Sequence, residues 1–120
     1  MRILTGAAAI AAFAFAGAAF AQPDNVEVVD GAFVTTDGMP LYTFARDSEN
    51  NSACVGGCAE AWPPLAAADD AEDEGDWTAT QREDGIRQWA YKGMPLYTYA
   101  RDTAGEAPTG VSDTWPLAME

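Results

Sequence analysis

A tyrosine and an aspartate five residues apart occur twice in this chain of 120 residues, and the two copies are separated by 55 positions. Residues 38–47 read GMPLYTFARD and residues 93–102 read GMPLYTYARD, so the copies differ only at Phe44 and Tyr99. Aromatic rings beside carboxylates suit a cation or a small polar ligand. We therefore predict a binding cleft between the two copies, lined by Tyr42, Asp47, Tyr97 and Asp102.

The two aspartates also admit other interpretations. Each one precedes a turn-rich stretch, where a carboxylate can accept backbone N–H groups and fix the exit of a strand. Arg46 and Arg101, which directly precede them, can each pair with an acid of the other copy. A catalytic acid/base pair of the glycosidase type is a third interpretation, but so short a chain leaves little room for a deep cleft.

The two cysteines, Cys54 and Cys58, form the second group with chemical potential. In an exported chain an even cysteine count predicts a disulfide, and so short a loop contributes only about 2 kcal/mol to stability. Two alternatives stay open. The pair can cycle between dithiol and disulfide, or it can hold Cu(I) together with the thioethers of Met39 and Met94.

The chain contains no histidine. This excludes Ser-His-Asp and Cys-His nucleophilic mechanisms, and it also excludes zinc, copper or haem sites that depend on imidazole ligands. Most classes of hydrolase are therefore ruled out.

The segments that carry these residues have the pattern of β-strands. Asp30-Gly31 and Asp84-Gly85 lie between alternating apolar and β-branched residues, which is typical of hairpin turns. Gly38 and Gly93 are predicted to form a second turn in each copy, where glycine tolerates a positive φ. Each copy thus reads as a three-stranded meander followed by a loop and a Trp-Pro segment.

We predict an all-β fold in which two β-meander repeats, about six strands in total, pack with pseudo-twofold symmetry. One meander cannot bury its apolar face alone, so the second copy covers it. The side chains expected in the core are aromatic: Phe44, Tyr42, Trp62, Tyr97, Tyr99 and Trp115.

The first 21 residues have the features of a cleaved signal peptide, with Arg2 before an apolar run that closes on Ala-Phe-Ala. Residues 22–120 then form one domain, with repeat 1 at 26–66, an acidic linker at 67–76 and repeat 2 at 77–119. No cysteine occurs before Cys54, so we expect no lipid at the new N-terminus and no stable membrane anchor after cleavage. The alternative is that the apolar run is retained as a membrane anchor. The predicted location is the periplasm or the exterior of the cell.

Acidic residues dominate the cleaved chain, with 19 Asp+Glu against five Lys+Arg once Arg2 is removed, a net charge of −14. Such a charge repels nucleic acid and favours cations and basic partners. The run from Asp69 to Asp76 is predicted to be a mobile, solvated loop. It lacks the spacing of an EF-type calcium loop, so neither a metal site nor a cofactor is predicted.

Both decamers contain the pattern Tyr-x-[Phe/Trp/Tyr]-x-x-Asp, and CVGGCAEAWPP follows the first one. This combination resembles the bacterial secreted repeat of unknown function, whose members are often described as predicted lipoproteins with a YX(FWY)XXD motif. The resemblance spans about residues 26–119 and implies export and a small repeat fold, without an established activity. Gln22 stands where a lipoprotein would carry its lipidated cysteine, so membrane anchoring is not implied for this chain.

The sequence therefore predicts a non-catalytic extracytoplasmic binding or envelope-associated module. Its partner is expected to be a cation, a small polar ligand or an envelope protein. The alternative function is a periplasmic electron-transfer or copper-handling protein that works through Cys54 and Cys58.

Overall fold

The structure, a computed structural model, describes residues 22–120. The predicted signal peptide, residues 1–21, lies outside the described residues. Six strands and one short helix are formed between residues 22 and 120. They are β1 (Val26–Val29), β2 (Ala32–Thr35), β3 (Tyr42–Thr43), α1 (Gly57–Ala61), β4 (Trp77–Gln81), β5 (Arg87–Tyr91) and β6 (Met94–Tyr97).

The predicted hairpins form at the Asp-Gly pairs. Asp30 and Gly31 join β1 to β2 with φ values of 53° and 83°, the left-handed conformation that a two-residue type I′ turn requires. The hairpin between β4 and β5 turns around Gly85, which has a φ of 88°. Helix α1, which the strand pattern did not predict, fills the loop that carries Cys58.

The strands form a two-stranded sheet, β1-β2, and a four-stranded sheet in the order β3-β6-β5-β4. All pairs are antiparallel. Strand β3 of repeat 1 pairs with β6 of repeat 2, and Tyr42 lies directly opposite Tyr97. Because these are the same position of the two decamers, the pseudo-twofold axis passes between them. The predicted all-β fold with two pseudo-symmetric repeats is confirmed.

The Trp-Pro segment at the end of each repeat is built into the other repeat. We call residues 61–67 tail 1 and residues 114–120 tail 2. Tail 1 lies between β6 and β5 of repeat 2, where Leu65 accepts from the N–H of Trp89 and donates to the carbonyl of Leu96, both at 2.9 Å. Tail 2 lies between the corresponding strands of repeat 1, where Ala118 accepts from Phe33 at 3.0 Å and donates to Leu41 at 2.9 Å.

The exchange of tails is symmetric along their whole length. Three further backbone hydrogen bonds of tail 1, to Thr98, Ala100 and Arg87, each have a counterpart in tail 2 at 2.8–3.0 Å. The counterparts of tail 2 involve Thr43, Ala45 and Gly31. Each repeat therefore lacks a part of its own backbone ladder until the other repeat supplies it.

The main core contains residues of both repeats and of both tails. Phe33 packs edge-on against Trp77 and Tyr91, with ring centroids 5.1 and 4.7 Å apart. Leu65 and Ala118 enter this core from the exchanged tails. A second cluster, close to the pseudo-twofold axis, contains the predicted core aromatics, of which Tyr42, Tyr97 and Trp115 are buried. Phe44, Trp62 and Tyr99 are half-buried.

Arg87 bonds to the first part of the acidic linker, and the mobility of the run from Asp69 to Asp76 stays a prediction. One terminal nitrogen of Arg87 donates to the carbonyl oxygens of Ala68, Asp69 and Ala71 at 2.9–3.2 Å, and the other donates to Ala79 at 3.2 Å. The guanidinium thus donates hydrogen bonds to three carbonyl oxygens of this segment. Within residues 22–120, no group of three or more acidic or cysteine side chains is arranged to hold a metal ion.

The tail exchange predicts that neither repeat folds alone. We expect fragments Gln22–Asp73 and Glu74–Glu120 each to lack a cooperative thermal transition in circular dichroism, because each one loses the tail that completes its backbone ladder. Mixing the two in equal amounts restores the transition. As a control, a chain cut between Asp73 and Glu74 after folding keeps its native spectrum. A cooperative melt from either fragment alone contradicts the exchanged arrangement.

Candidate functional site

The tyrosine of each decamer bonds to the aspartate of the other one. The hydroxyl of Tyr42 donates to Oδ2 of Asp102 at 2.6 Å, and the hydroxyl of Tyr97 donates to Oδ2 of Asp47 at 2.7 Å. Both tyrosines are fully buried. The recurring Tyr and Asp thus form two crossed pairs that join repeat 1 to repeat 2.

Each aspartate also fixes the loop that follows its strand. Oδ1 of Asp47 accepts from the backbone N–H of Ala53 at 2.7 Å. Oδ1 of Asp102 accepts from the N–H and the hydroxyl of Thr109 at 2.8 and 2.6 Å. This is the structural role that the sequence suggested for a carboxylate at a strand exit.

A buried arginine supports the Tyr97 pair. Ser52 shares a hydrogen bond with the hydroxyl of Tyr97 and accepts one from Arg82 at 2.9 Å. The guanidinium of Arg82, 3 % exposed, has five N–H groups. They donate to Ser52, Gln88, the carbonyl of Cys54 and the carboxylate of Asp84. Every N–H group of the buried guanidinium therefore has an acceptor. Arg82–Asp84 is the one ion pair among the residues that the structure describes.

The Tyr42 pair is completed by backbone instead of a side chain. The N–H of Gly110 donates to the Tyr42 hydroxyl at 3.1 Å. A Cβ atom on Gly110 would lie 2.7 Å from Trp62 and 2.8 Å from Tyr99. Glycine is therefore required for the chain to pass between the hydroxyl and the rings.

Burial and the neighbouring carboxylates change the acidity of these groups. Desolvation, reinforced by Asp102, raises the pKa of Tyr42 from 10.0 to about 12. Desolvation and Asp47 likewise raise the pKa of Tyr97 to about 12, although Ser52 opposes the change. Burial raises the pKa of Asp47 above its usual range, opposed by its hydrogen bonds from Ala53 and Tyr97. Hydrogen bonds from Arg82 lower the pKa of Asp84.

Four aromatic rings form one continuous stack at the pseudo-twofold axis. Trp62 and Trp115 lie in the centre, with ring centroids 3.9 Å apart and planes within 3° of parallel. Phe44 stacks on Trp115 and Tyr99 stacks on Trp62, each at 4.2 Å. The two decamers differ only at these outer rings, which explains why the position accepts either Phe or Tyr: a planar ring is needed, and a hydroxyl is not.

The turn glycine at the start of each decamer receives the loop of the other repeat. The N–H of Gly105 donates to the carbonyl of Gly38 at 3.0 Å, and the N–H of Asn50 donates to Gly93 at 2.8 Å. A Cβ atom on Gly38 would lie 2.8 Å from the nitrogen of Gly105, and one on Gly93 would lie 2.8 Å from the side chain of Glu49. Both glycines also have positive φ values, 98° and 84°.

The four residues predicted to line a binding cleft are brought together as crossed pairs, not as one shared cavity. Tyr42 and Tyr97 have no exposed surface and Asp102 is 9 % exposed. Asp47 alone among the four lines one of the described cavities, a depression of about 600 Å³ that also contains Glu49 and Lys92. A ligand role for the four stays a prediction. Arg46 and Arg101, suggested as ion-pair partners, are exposed and form no ion pair in the described region.

The predicted disulfide between Cys54 and Cys58 is present. Cys54 is fully buried in the aromatic cluster, and Cys58 is half-buried against it. The carbonyl of Cys58 accepts from the N–H of Trp62 at 2.9 Å. The bridge therefore sets the start of tail 1 and the position of a central ring of the stack.

A family model described as a secreted repeat of unknown function matches this chain twice, at residues 26–66 and 78–119. The chain belongs to this family. The two matches fall on the two structural repeats, and both contain one decamer and one exchanged tail. No curated protein and no solved structure matches the chain.

The family is described as secreted. Between residues 22 and 120, no helix has both the length and the apolar character needed to cross a membrane. The family description names no ligand and no reaction.

A double-mutant cycle tests the crossed pairing. We expect Tyr42→Phe and Asp102→Asn to show a coupling free energy of about 1.5 kcal/mol in denaturant unfolding, since the pair is a charge-assisted hydrogen bond. Tyr42→Phe combined with Asp47→Asn, the aspartate of its own decamer, should be additive within about 0.5 kcal/mol. The reverse result, coupling within a decamer and none across, contradicts the crossed arrangement.

The raised tyrosine pKa values predict a loss of stability in alkali. Between pH 10 and pH 12 the unfolded chain releases the Tyr42 and Tyr97 protons while the folded chain retains them, so the free energy of unfolding falls as the pH rises. Urea unfolding at several pH values measures the slope. Tyr97→Phe removes one of the two groups and should make the slope shallower by one proton. A stability that is flat across this range contradicts the burial of the two hydroxyls.

Proposed function

We propose that this chain is a non-catalytic binding module of the periplasm or the cell exterior, which acts through its acidic outer surface. The observation that carries the proposal is that the polar side chains of the motif already have hydrogen-bond partners within the protein. Both tyrosine hydroxyls and both aspartate carboxylates of the decamers are bonded to each other and to backbone groups. These hydrogen bonds hold the two repeats together, so the repeated residues have a structural role. Recognition of a partner is therefore assigned to the exposed surface outside them.

The carboxylate geometry argues against an acid/base enzyme. A catalytic pair needs two carboxyl groups that face one substrate and are free to exchange protons. Asp47 and Asp102 each accept a tyrosine hydroxyl on one oxygen and backbone N–H on the other. Proton transfer at either group would break a contact between the repeats.

The disulfide bond argues against the copper alternative, and the burial of Cys54 argues against the electron-transfer alternative. Thiolates, not disulfide sulfurs, are the strong ligands of Cu(I) and the nucleophiles of thiol exchange. Cys54 and Cys58 are bonded to each other, and Cys54 has no exposed surface. The bridge supports the structural role that its hydrogen bond to Trp62 indicates.

The charge of the surface defines the class of partner. A net charge of −14 after removal of the predicted signal peptide favours cations and basic molecules and repels anionic membranes. The guanidinium of Arg82 is buried and paired with Asp84, so it adds no positive charge to the surface. A positively charged partner in the cell envelope fits this field.

Titration against a defined panel tests the proposal. The panel contains a basic peptide, spermidine, Ca²⁺, peptidoglycan fragments and phosphatidylglycerol vesicles, and ¹⁵N chemical shifts report the binding. We expect saturable, reversible binding of at least one cationic member, no binding of the vesicles, and recovery of the bound molecule unchanged by mass spectrometry. Chemical conversion of a panel member, or the absence of any saturable binding, contradicts the proposal.

A variant without the disulfide is the matched control. Cys54→Ser/Cys58→Ser is expected to lose about 2 kcal/mol of stability and to retain the binding of the same panel member. Loss of that binding in a variant that still folds would assign the function to the sulfur atoms and overturn the proposal.

A further inference from the structure

A groove of about 610 Å³ lies on the outer face of the β1–β2 hairpin. Glu27 pairs with Val34 and Val29 pairs with Ala32 in the register of this hairpin, so these four side chains share one face. The opposite face carries Val26, which is 3 % exposed and belongs to the main core. Residues 105–108 of repeat 2 form the facing wall of the groove.

The two walls are held together by hydrogen bonds within and between the repeats. The hydrogen bond from Gly105 to Gly38 fixes the loop of repeat 2 against the turn that follows β2. The Asp102 carboxylate holds the far end of that loop through Thr109. The groove is therefore preformed, which lowers the cost of ordering on binding.

The lining combines apolar side chains with carboxylates. The apolar side chains include Val29, which is 52 % exposed. Four carboxylates line the groove and no basic side chain does. They belong to Glu27, Asp30, Asp37 and Glu106.

The corresponding turn of repeat 2 has the opposite charge. Lys92 precedes Gly93 where Asp37 precedes Gly38, and Lys92 lies in the cavity that contains Asp47 and Glu49. Duplication of the fold requires the glycine but not the charge of its neighbour. The uniform negative charge beside Gly38 is thus a property of this groove and not of the architecture.

We infer that this groove binds an extended basic peptide segment in which Lys or Arg residues alternate with apolar ones, an inference that rests on the proposed binding function. The apolar side chains of the lining accommodate the aliphatic stems and apolar residues, and the carboxylates among them meet the charged ends. The volume lies in the range of ligand-binding pockets. A bare metal ion fits poorly, since no three acidic side chains converge within residues 22–120.

Binding of a defined peptide to the exported protein tests the inference. The probe is Lys-Leu-Lys-Leu-Lys-Leu-Lys with both ends blocked, in which the basic and apolar residues alternate. Two companions replace every Lys by Glu, or every Leu by Ser. We expect the probe to shift the amide resonances of Val29, Val34 and the 105–108 loop, and to bind more weakly as salt rises. The Glu companion should not bind, and the Ser companion should bind more weakly than the probe.

Two double variants with the same change of charge separate the groove from the general field. Glu27→Gln/Glu106→Gln should raise the Kd for the probe about threefold to tenfold, because two partly exposed ion pairs are lost. Glu72→Gln/Glu83→Gln, which lies outside the groove lining, should leave the Kd within about twofold of the wild-type value. All four positions are exposed, so both variants are expected to fold.

Three outcomes overturn the inference: equal weakening in the two double variants, probe-induced shifts confined to other surfaces, or a Ser companion that binds as well as the probe. In each case saturable binding still occurs and the proposed binding function survives. If instead the basic probe fails and spermidine or Ca²⁺ binds, the function stands and the peptide is wrong. Failure of every panel member contradicts both.

Discussion

The reciprocal exchange of parts between the two repeats is the constraint on which the rest of the structure depends. Each tail completes the backbone ladder of the opposite repeat, and each buried tyrosine donates to an aspartate of the opposite decamer. A backbone group left unpaired in the core is costly, so both sets of contacts have to form together. The arrangement resembles an exchanged dimer contained within a single chain.

This constraint explains why ten residues recur almost unchanged. Gly38 and Gly93 have positive φ values, and each one lies against a loop of the other repeat. Leu41 and its counterpart in repeat 2 are fully buried beside the exchanged tails. The tyrosine and the aspartate form the crossed pairs, and Phe44 or Tyr99 closes one end of the ring stack. A change in one copy therefore disturbs a partner in the other.

The local features of the fold could be predicted from the sequence, and the features that depend on distant partners could not. The Asp30-Gly31 turn, the strand pattern and the disulfide follow from neighbouring residues. The exchange of tails does not, because a Trp-Pro segment carries no sign of which repeat it joins. Arg82 was missed for the same reason: it is buried only because Ser52, Gln88 and Asp84 converge on it. The crossed hydrogen bonds of the four motif residues were not predicted either, because each one joins residues of different repeats.

Hydrogen exchange of individual amides tests the central claim most directly. The amides of Leu65 and Ala118, which bond across the exchange, should open only by global unfolding. Their free energies of exchange should equal each other and equal the value from denaturant unfolding, because the two repeats form one cooperative unit. Protection of one tail that is lower than that of the other by several kcal/mol, with separate opening of its repeat, would show two independent units and contradict the account.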